Sequence, residues 1–127
     1  MRFLPALLVA STIFWLSSQP VLPDFLPGFD GSDKLCHVLA YATLAATLLY
    51  GARFPAGRQA WWWALGAVLY GISDEFHQSF VPGRTPDVQD LLADSVGALG
   101  VTLLNRQMAQ LFKRGAQAFG TFGAGRG

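Results

Sequence analysis

Four stretches of the chain are apolar over most of their length, and shorter polar or proline-rich stretches separate them. A membrane-spanning helix needs roughly 20 largely apolar residues, although tilt and packing reduce this to about 17. The four stretches reach or approach this length. They run from about Phe3 to Ser18, from Ser32 or Asp33 to Tyr50, from about Ala60 to Phe80, and from Thr85 to about Asn105. The pattern predicts an all-α fold, an integral membrane bundle of four transmembrane helices over residues 1–105.

Residues that interrupt or begin helices lie between these stretches. Pro20, Pro23 and Pro27 predict a loop after the first helix, because proline lacks an amide hydrogen and cannot continue a helix. The Val-Pro-Gly-Arg sequence at 81–84 predicts a tight turn, with proline and glycine in the central positions that a type II turn prefers. Thr85 is a preferred N-cap residue and a proline follows it, so we expect helix four to begin there.

The first helix also has features of a secretory signal peptide, since Arg2 precedes an apolar run. No convincing small-x-small cleavage pattern follows Ser18. We therefore expect the first helix to remain in the protein.

The composition supports a membrane protein of one domain. Of the 127 residues, 52% are apolar and 13% are charged, and the mean hydropathy of +0.35 is too high for an ordinary soluble domain. A net charge of +1 provides no large basic surface, which excludes nucleic acid as an expected partner. The lone Cys36 permits no intrachain disulfide.

Basic and acidic residues lie on opposite sides of the predicted bundle. One side has seven basic residues: Arg2, Arg53, Arg58, Arg106, Lys113, Arg114 and Arg126. All the acidic residues lie toward the other side: Asp24, Asp30, Asp33, Asp74, Glu75, Asp87, Asp90 and Asp94. Because basic residues favour the cytoplasmic side, we expect both termini in the cytoplasm. Residues 106–127 are predicted to form a basic, glycine-rich and flexible cytoplasmic tail.

The acidic side carries a polar group of residues on three helices. An ionisable residue at the bilayer centre costs about 2.5 to 3.5 kcal/mol, so polar faces that converge from several helices indicate pairing or a wet cavity. The helical spacing of the polar residues on helices two, three and four places them at one depth in the bilayer. We predict that the ligand-binding residues are Lys34, His37, Tyr41, Glu75, Gln78, Arg84, Asp90 and Asp94. Among these, the candidates for a catalytic role are His37, Glu75, Asp90 and Asp94.

The carboxylates on this side outnumber the cations, which are Lys34 and Arg84. Arg84 is expected to pair with Asp87 or Asp90, or with an external anion. The excess charge has two explanations: burial and repulsion raise some carboxyl pKa values, or a divalent metal binds His37, His77 and carboxylates. The sequence has no recognisable metal or cofactor motif, so we assign neither a metal ion nor a cofactor.

A third interpretation is purely structural, with the polar network fixing the relative positions of helices two to four. Gly97 and Gly100 are expected to let a neighbouring helix approach helix four closely.

Three motifs occur in and next to the predicted helices: Ser17-Ser18-Gln19-Pro20, Asp33-Lys34-x-x-His37-x-x-x-Tyr41, and Asp74-Glu75-x-x-Gln78-x-Phe80-x-Pro82-Gly83-Arg84 leading into Asp90 and Gly97. Together they resemble the VanZ-like family of small bacterial membrane proteins. The resemblance covers about Phe3 to Leu104. Asp94 departs from the family pattern, which usually has Asn there, and the tail after Asn105 matches nothing. The resemblance implies the bacterial cytoplasmic (inner) membrane and, for the founding member, lowered susceptibility to the glycopeptide antibiotic teicoplanin.

Three functions are compatible with these observations. The first is a cell-envelope protein whose outward-facing polar pocket binds a lipid-linked or phosphorylated envelope component through Arg84, Lys34 and the histidine and acidic residues. The second is a membrane-embedded enzyme acting on such a lipid, although the sequence contains no nucleophile motif. The third is a small transporter or flippase. The expected partners are the lipid bilayer and an envelope precursor, and the oligomeric state is open.

Overall fold

The chain forms four α-helices in the computed structural model, which describes residues 1–21 and 31–124, with the backbone alone for 112–124. The helices are α1 (Leu4–Ser17), α2 (Ser32–Gly51), α3 (Arg58–Gln78) and α4 (Val88–Ala124). The predicted all-α fold with four helices is confirmed. The acidic residues Asp24 and Asp30 and the basic residue Arg126 lie outside the described residues.

Over the described part of the chain, no helix combines the length and the apolarity that crossing a membrane requires. Membrane crossing and the cytoplasmic position of both termini stay predictions.

Helix α2 occupies the centre of the bundle. It packs most extensively against α4 and also contacts α1 and α3, while α3 packs against α4 as well. The core between the helices contains three large side chains, Ile13, Tyr41 and Leu44, and three small ones, Ala45, Ala67 and Ala98. Because alanine side chains are small, the helix backbones approach closely along this core.

One glycine permits the closest approach of α2 and α4. A Cβ atom at Gly97 would overlap the carbonyl oxygen of Val38 and lie 2.9 Å from the amide nitrogen of Ala42. The prediction that Gly97 allows close helix packing is confirmed. The same prediction is wrong for Gly100, where a Cβ atom would meet no atom of the described residues within 4 Å.

The start and end of helix four differ from those predicted. The helix begins at Val88 rather than Thr85, because the Asp87 carboxylate accepts a hydrogen bond of 2.8 Å from the Gln89 amide and so takes the N-cap role. It continues to Ala124 instead of ending near Asn105. Residues 106–119 contain no proline and consist mainly of good helix formers, so nothing in them stops the helix. The flexibility of 106–127 stays a prediction.

The predicted turn before α4 is confirmed. The Arg84 amide donates to the Val81 carbonyl over 3.1 Å, and Gly83 has a φ of 84°. A type II turn requires a positive φ at its third residue, which favours glycine. The turn brings the start of α4 back beside the end of α3.

Candidate functional site

Polar side chains meet at one end of the bundle, where α1 and α3 end and α2 and α4 begin. This arrangement follows from the up-and-down order of the helices, which places these four ends together. The side chains form two groups. The first, here called the acidic cluster, comprises Lys34, His37, Glu75, Asp87, Asp90 and Asp94. The second, here called the amide chain, comprises Ser17, Asp74, Gln78 and Arg84.

Lys34 is the cation of the acidic cluster, and three carboxylates surround it. Its Nζ atom lies 2.8 Å from Asp87 Oδ2, 2.5 Å from Asp90 Oδ1 and 3.3 Å from Asp33 Oδ2. The Lys34 ammonium, together with the Gln89 amide, holds the pKa of Asp87 below its usual range. The single positive charge of Lys34 is therefore already shared among several acids.

His37 joins α2 to α4 inside the acidic cluster. Its Nδ1 atom lies 2.8 Å from Asp94 Oδ1, and its Nε2 atom lies 3.7 Å from Asp90 Oδ2. Asp94 is fully buried, with an exposed fraction of 0%. A carboxylate at this distance fixes the orientation of an imidazole ring, as in many catalytic and metal-binding histidines.

Glu75 closes the acidic cluster from α3. Its Oε2 atom accepts a hydrogen bond of 2.9 Å from the Asp87 amide. Its Oε1 atom, like Asp94 Oδ2, is buried and has no hydrogen-bond partner among the described residues. One ligand atom from each of His37, Glu75 and Asp94 lies within 4.8 Å of the other two, so these three residues could hold a metal ion.

Gly71 provides the space beside the Asp94 carboxylate. A Cβ atom there would lie 3.1 Å from Asp94 Oδ2 and 3.2 Å from Tyr41 Cε1. Tyr41 is itself buried, and its hydroxyl has no hydrogen-bond partner within the part of the chain that the structure describes. Tyr41, a predicted ligand-binding residue, thus borders the acidic cluster at Asp94.

The amide chain links α1, α3 and the turn before α4 by direct hydrogen bonds. Ser17 Oγ donates to Asp74 Oδ2 over 2.6 Å, and Gln78 Nε2 donates to the same oxygen over 3.1 Å. Arg84 Nη2 then donates to Gln78 Oε1 over 3.0 Å. Asp74, Gln78 and Ser17 are all buried. Ser17 and Asp74 are absent from the predicted ligand-binding residues, although both belong to the motifs quoted above.

The prediction that Arg84 pairs with Asp87 or Asp90 is wrong. Lys34 binds both carboxylates instead, because it enters the cluster from α2 at their level. No carboxylate of the described residues lies within 4.0 Å of the Arg84 guanidinium, whose partner is the neutral amide of Gln78. The other predicted partner of Arg84, an external anion, is compatible with this geometry.

His77 lies apart from the acidic cluster. Its Nε2 atom is 3.0 Å from Ser18 Oγ, and its ring packs against Phe14 with 4.5 Å between the centroids. The predicted metal set that includes His77 is therefore wrong. Glu75, two positions earlier on α3, faces the acidic cluster in its place.

Comparison with known proteins identifies one family. A family model described as VanZ/LLP1 matches residues 3–109 of the 127, which confirms the resemblance predicted from the motifs. The match includes every residue of the acidic cluster and of the amide chain. Neither a curated protein nor a solved structure matches the chain at a significant level.

Proposed function

Because the chain belongs to the VanZ/LLP1 family, we propose that it is an integral protein of the bacterial cytoplasmic membrane that binds a lipid-linked or phosphorylated envelope component. The binding site in this proposal is the polar end of the bundle, on the outer side of the membrane, with Arg84 as the anion-binding residue. A change in teicoplanin susceptibility would be a consequence of such binding.

The exposed surface supports the membrane part of the proposal. Large apolar side chains more than 50% exposed occur on every helix, for example Leu7, Leu39, Leu69 and Val96. Exposed apolar side chains on all four helices favour contact with lipid or protein. Membrane-protein bundles combine such exteriors with small residues between the helices, as at Ala45 here.

The contrast between the two cations is the observation that carries the proposed binding. Lys34 lies among three carboxylates, so an additional anion there would meet net negative charge. Arg84 is half-buried and hydrogen-bonds a neutral amide. A guanidinium presents a planar set of donors that matches phosphate oxygens, so Arg84 is the better anion site.

Photo-crosslinking of the purified protein in lipid nanodiscs tests this proposal. The probes are a diazirine-labelled polyprenyl phosphate and, for comparison, a diazirine-labelled phosphatidylcholine. Loss of a charge-assisted hydrogen bond costs about 1.5 to 3 kcal/mol, so we expect Arg84→Ala to reduce polyprenyl-phosphate labelling by roughly tenfold or more. Arg58→Ala, which removes an exposed arginine at the other end of α3, is the matched control. Equal labelling of wild type and Arg84→Ala would overturn the proposal.

The membrane orientation has a separate test. Fusion of alkaline phosphatase or of a fluorescent protein to residue 127 reports the side on which the C-terminus lies. We expect fluorescence and no phosphatase activity, because the basic residues favour the cytoplasm. An active phosphatase fusion would show that the orientation is reversed.

A membrane-embedded enzyme is the second candidate, and the contact between His37 and Asp94 favours it. A histidine oriented by a carboxylate, with Glu75 beside it, is a common arrangement for proton transfer. Lipid profiles of a deletion strain complemented with wild type or with Glu75→Gln distinguish the two candidates. A product missing in both the deletion and the Glu75→Gln strain would favour catalysis, whereas identical profiles in all strains would exclude it.

A further inference from the structure

The acidic cluster contains more negative charge than its side chains can balance. Lys34 is shared among Asp33, Asp87 and Asp90, which leaves Glu75 and Asp94 with His37 as their neighbouring base. A buried carboxylate without a cation or sufficient donors is costly. The surplus lies at the inner part of the cluster, where Asp94 and Glu75 are 0% and 9% exposed.

Two carboxylate oxygens at this position have no protein partner. Asp94 Oδ2 and Glu75 Oε1 are both buried, and neither has a hydrogen-bond partner in the described residues. Their other oxygens are held in place, Asp94 Oδ1 by His37 and Glu75 Oε2 by the Asp87 amide. Each side chain is therefore anchored through one oxygen and presents the other for a ligand.

We propose that His37, Glu75 and Asp94 form a binding site for one divalent transition-metal ion. One ligand atom from each residue lies within 4.8 Å of the others. Ligand atoms of a tetrahedral zinc ion with bonds of about 2.0–2.2 Å lie about 3.4 Å from one another, so side-chain rotations have to shorten each of these separations by at most about 1.4 Å when the ion binds. This proposal does not depend on anion binding by Arg84.

The donor set determines the class of metal. One imidazole and two carboxylates suit first-row ions such as Zn²⁺ and Mn²⁺, whereas Mg²⁺ and Ca²⁺ prefer oxygen ligands alone. Three protein ligands leave at least one coordination position for an external ligand, as in catalytic zinc sites. Gly71 keeps this region free of a side chain that would crowd Asp94 Oδ2.

Metal binding by the purified full-length protein tests the proposal. After EDTA treatment and buffer exchange, the protein is titrated with Zn²⁺, and bound metal is measured by elemental analysis. We expect one Zn²⁺ per chain and affinity weaker by roughly tenfold or more in Glu75→Gln and Asp94→Asn. Asp33→Asn, at an exposed acid of the same bundle end, and Asp74→Asn, at a buried acid outside the three, should bind as wild type does.

X-ray absorption at the zinc edge of the wild-type protein keeps the test independent of variant folding. We expect nitrogen and oxygen scatterers at about 2.0–2.2 Å, with the outer-shell signature of one imidazole. Any of three results would overturn the proposal: saturation far below one Zn²⁺ per chain, unchanged affinity in both ligand variants, or a sulfur scatterer, which would identify Cys36 as the ligand instead.

Discussion

Nδ1 of His37 on α2 lies 2.8 Å from Oδ1 of Asp94 on α4, and no part of Asp94 is exposed to solvent. This contact joins the two helices that pack most extensively against each other. It also orients the imidazole ring toward the centre of the acidic cluster. The pair therefore has a structural role that can be measured separately from any ligand.

A double-mutant cycle measures the coupling within this pair. His37→Ala leaves the buried Asp94 carboxylate without its histidine partner, and we expect it to lower the free energy of unfolding by roughly 3 kcal/mol. The His37→Ala/Asp94→Ala double variant should be less destabilised than the sum of the single variants, by about 1 to 3 kcal/mol. Denaturant unfolding in detergent, followed by tryptophan fluorescence, provides the measurement. Additive effects would contradict a direct interaction.

The close crossing of α2 and α4 predicts a strong effect of a single methyl group. Gly97→Ala places a Cβ atom against the Val38 carbonyl oxygen, so one of the helices has to shift. We expect the free energy of unfolding to fall by roughly 3 kcal/mol, the upper end of the usual range for an overpacked core. Gly100→Ala is the control, because a Cβ atom there meets no described atom within 4 Å. Equal thermal stability of the two variants would show that the α2 backbone at Val38 does not approach Gly97 this closely.

Within the amide chain, we expect the hydrogen bond from Ser17 to Asp74 to stabilise the packing of α1 against α3. Ser17→Ala removes the 2.6 Å hydrogen bond to buried Asp74, which keeps Gln78 as a donor. We expect a loss of about 1 to 2 kcal/mol in the free energy of unfolding. Ser73→Ala is the matched control, since the exposed Ser73 hydroxyl bonds the backbone of its own helix. A neutral Ser17→Ala variant would indicate that the bond to Asp74 contributes nothing to stability.

Gly71 offers a way to perturb the proposed metal site without removing a ligand. In Gly71→Ala the new Cβ atom lies 3.1 Å from Asp94 Oδ2, so this carboxylate has to rotate or shift. We expect Zn²⁺ affinity to fall several-fold. The X-ray absorption spectrum should still show nitrogen and oxygen as the coordinating atoms, because no ligand residue has been removed. Gly66→Ala, at a helical glycine with no described atom near the added Cβ, is the control. Unchanged affinity in Gly71→Ala would place the metal away from Asp94 Oδ2.

The pattern of apolar and polar positions was sufficient to predict four helices and the end of the bundle where polar groups gather. Short connections force successive helices to alternate in direction, so the end of α3 and the starts of α2 and α4 must meet. The Pro82-Gly83 turn was predictable for a local reason as well, because few other residue pairs suit a type II turn. The N-cap of α4 was not predictable from the sequence, since Thr85 and Asp87 are both suitable cap residues.

The partners within the site depended on the tertiary structure. Glu75 and His77 are two positions apart on α3, which separates them by about 200° around the helix, and spacing alone could not tell which one faces α2 and α4. The packing of α1 against α3 turns His77 toward Ser18 and leaves Glu75 with Asp94. By itself the sequence determined the helices and the shared polar end. The rotation of each helix about its axis, set by side-chain packing across the bundle, decided which polar groups touch.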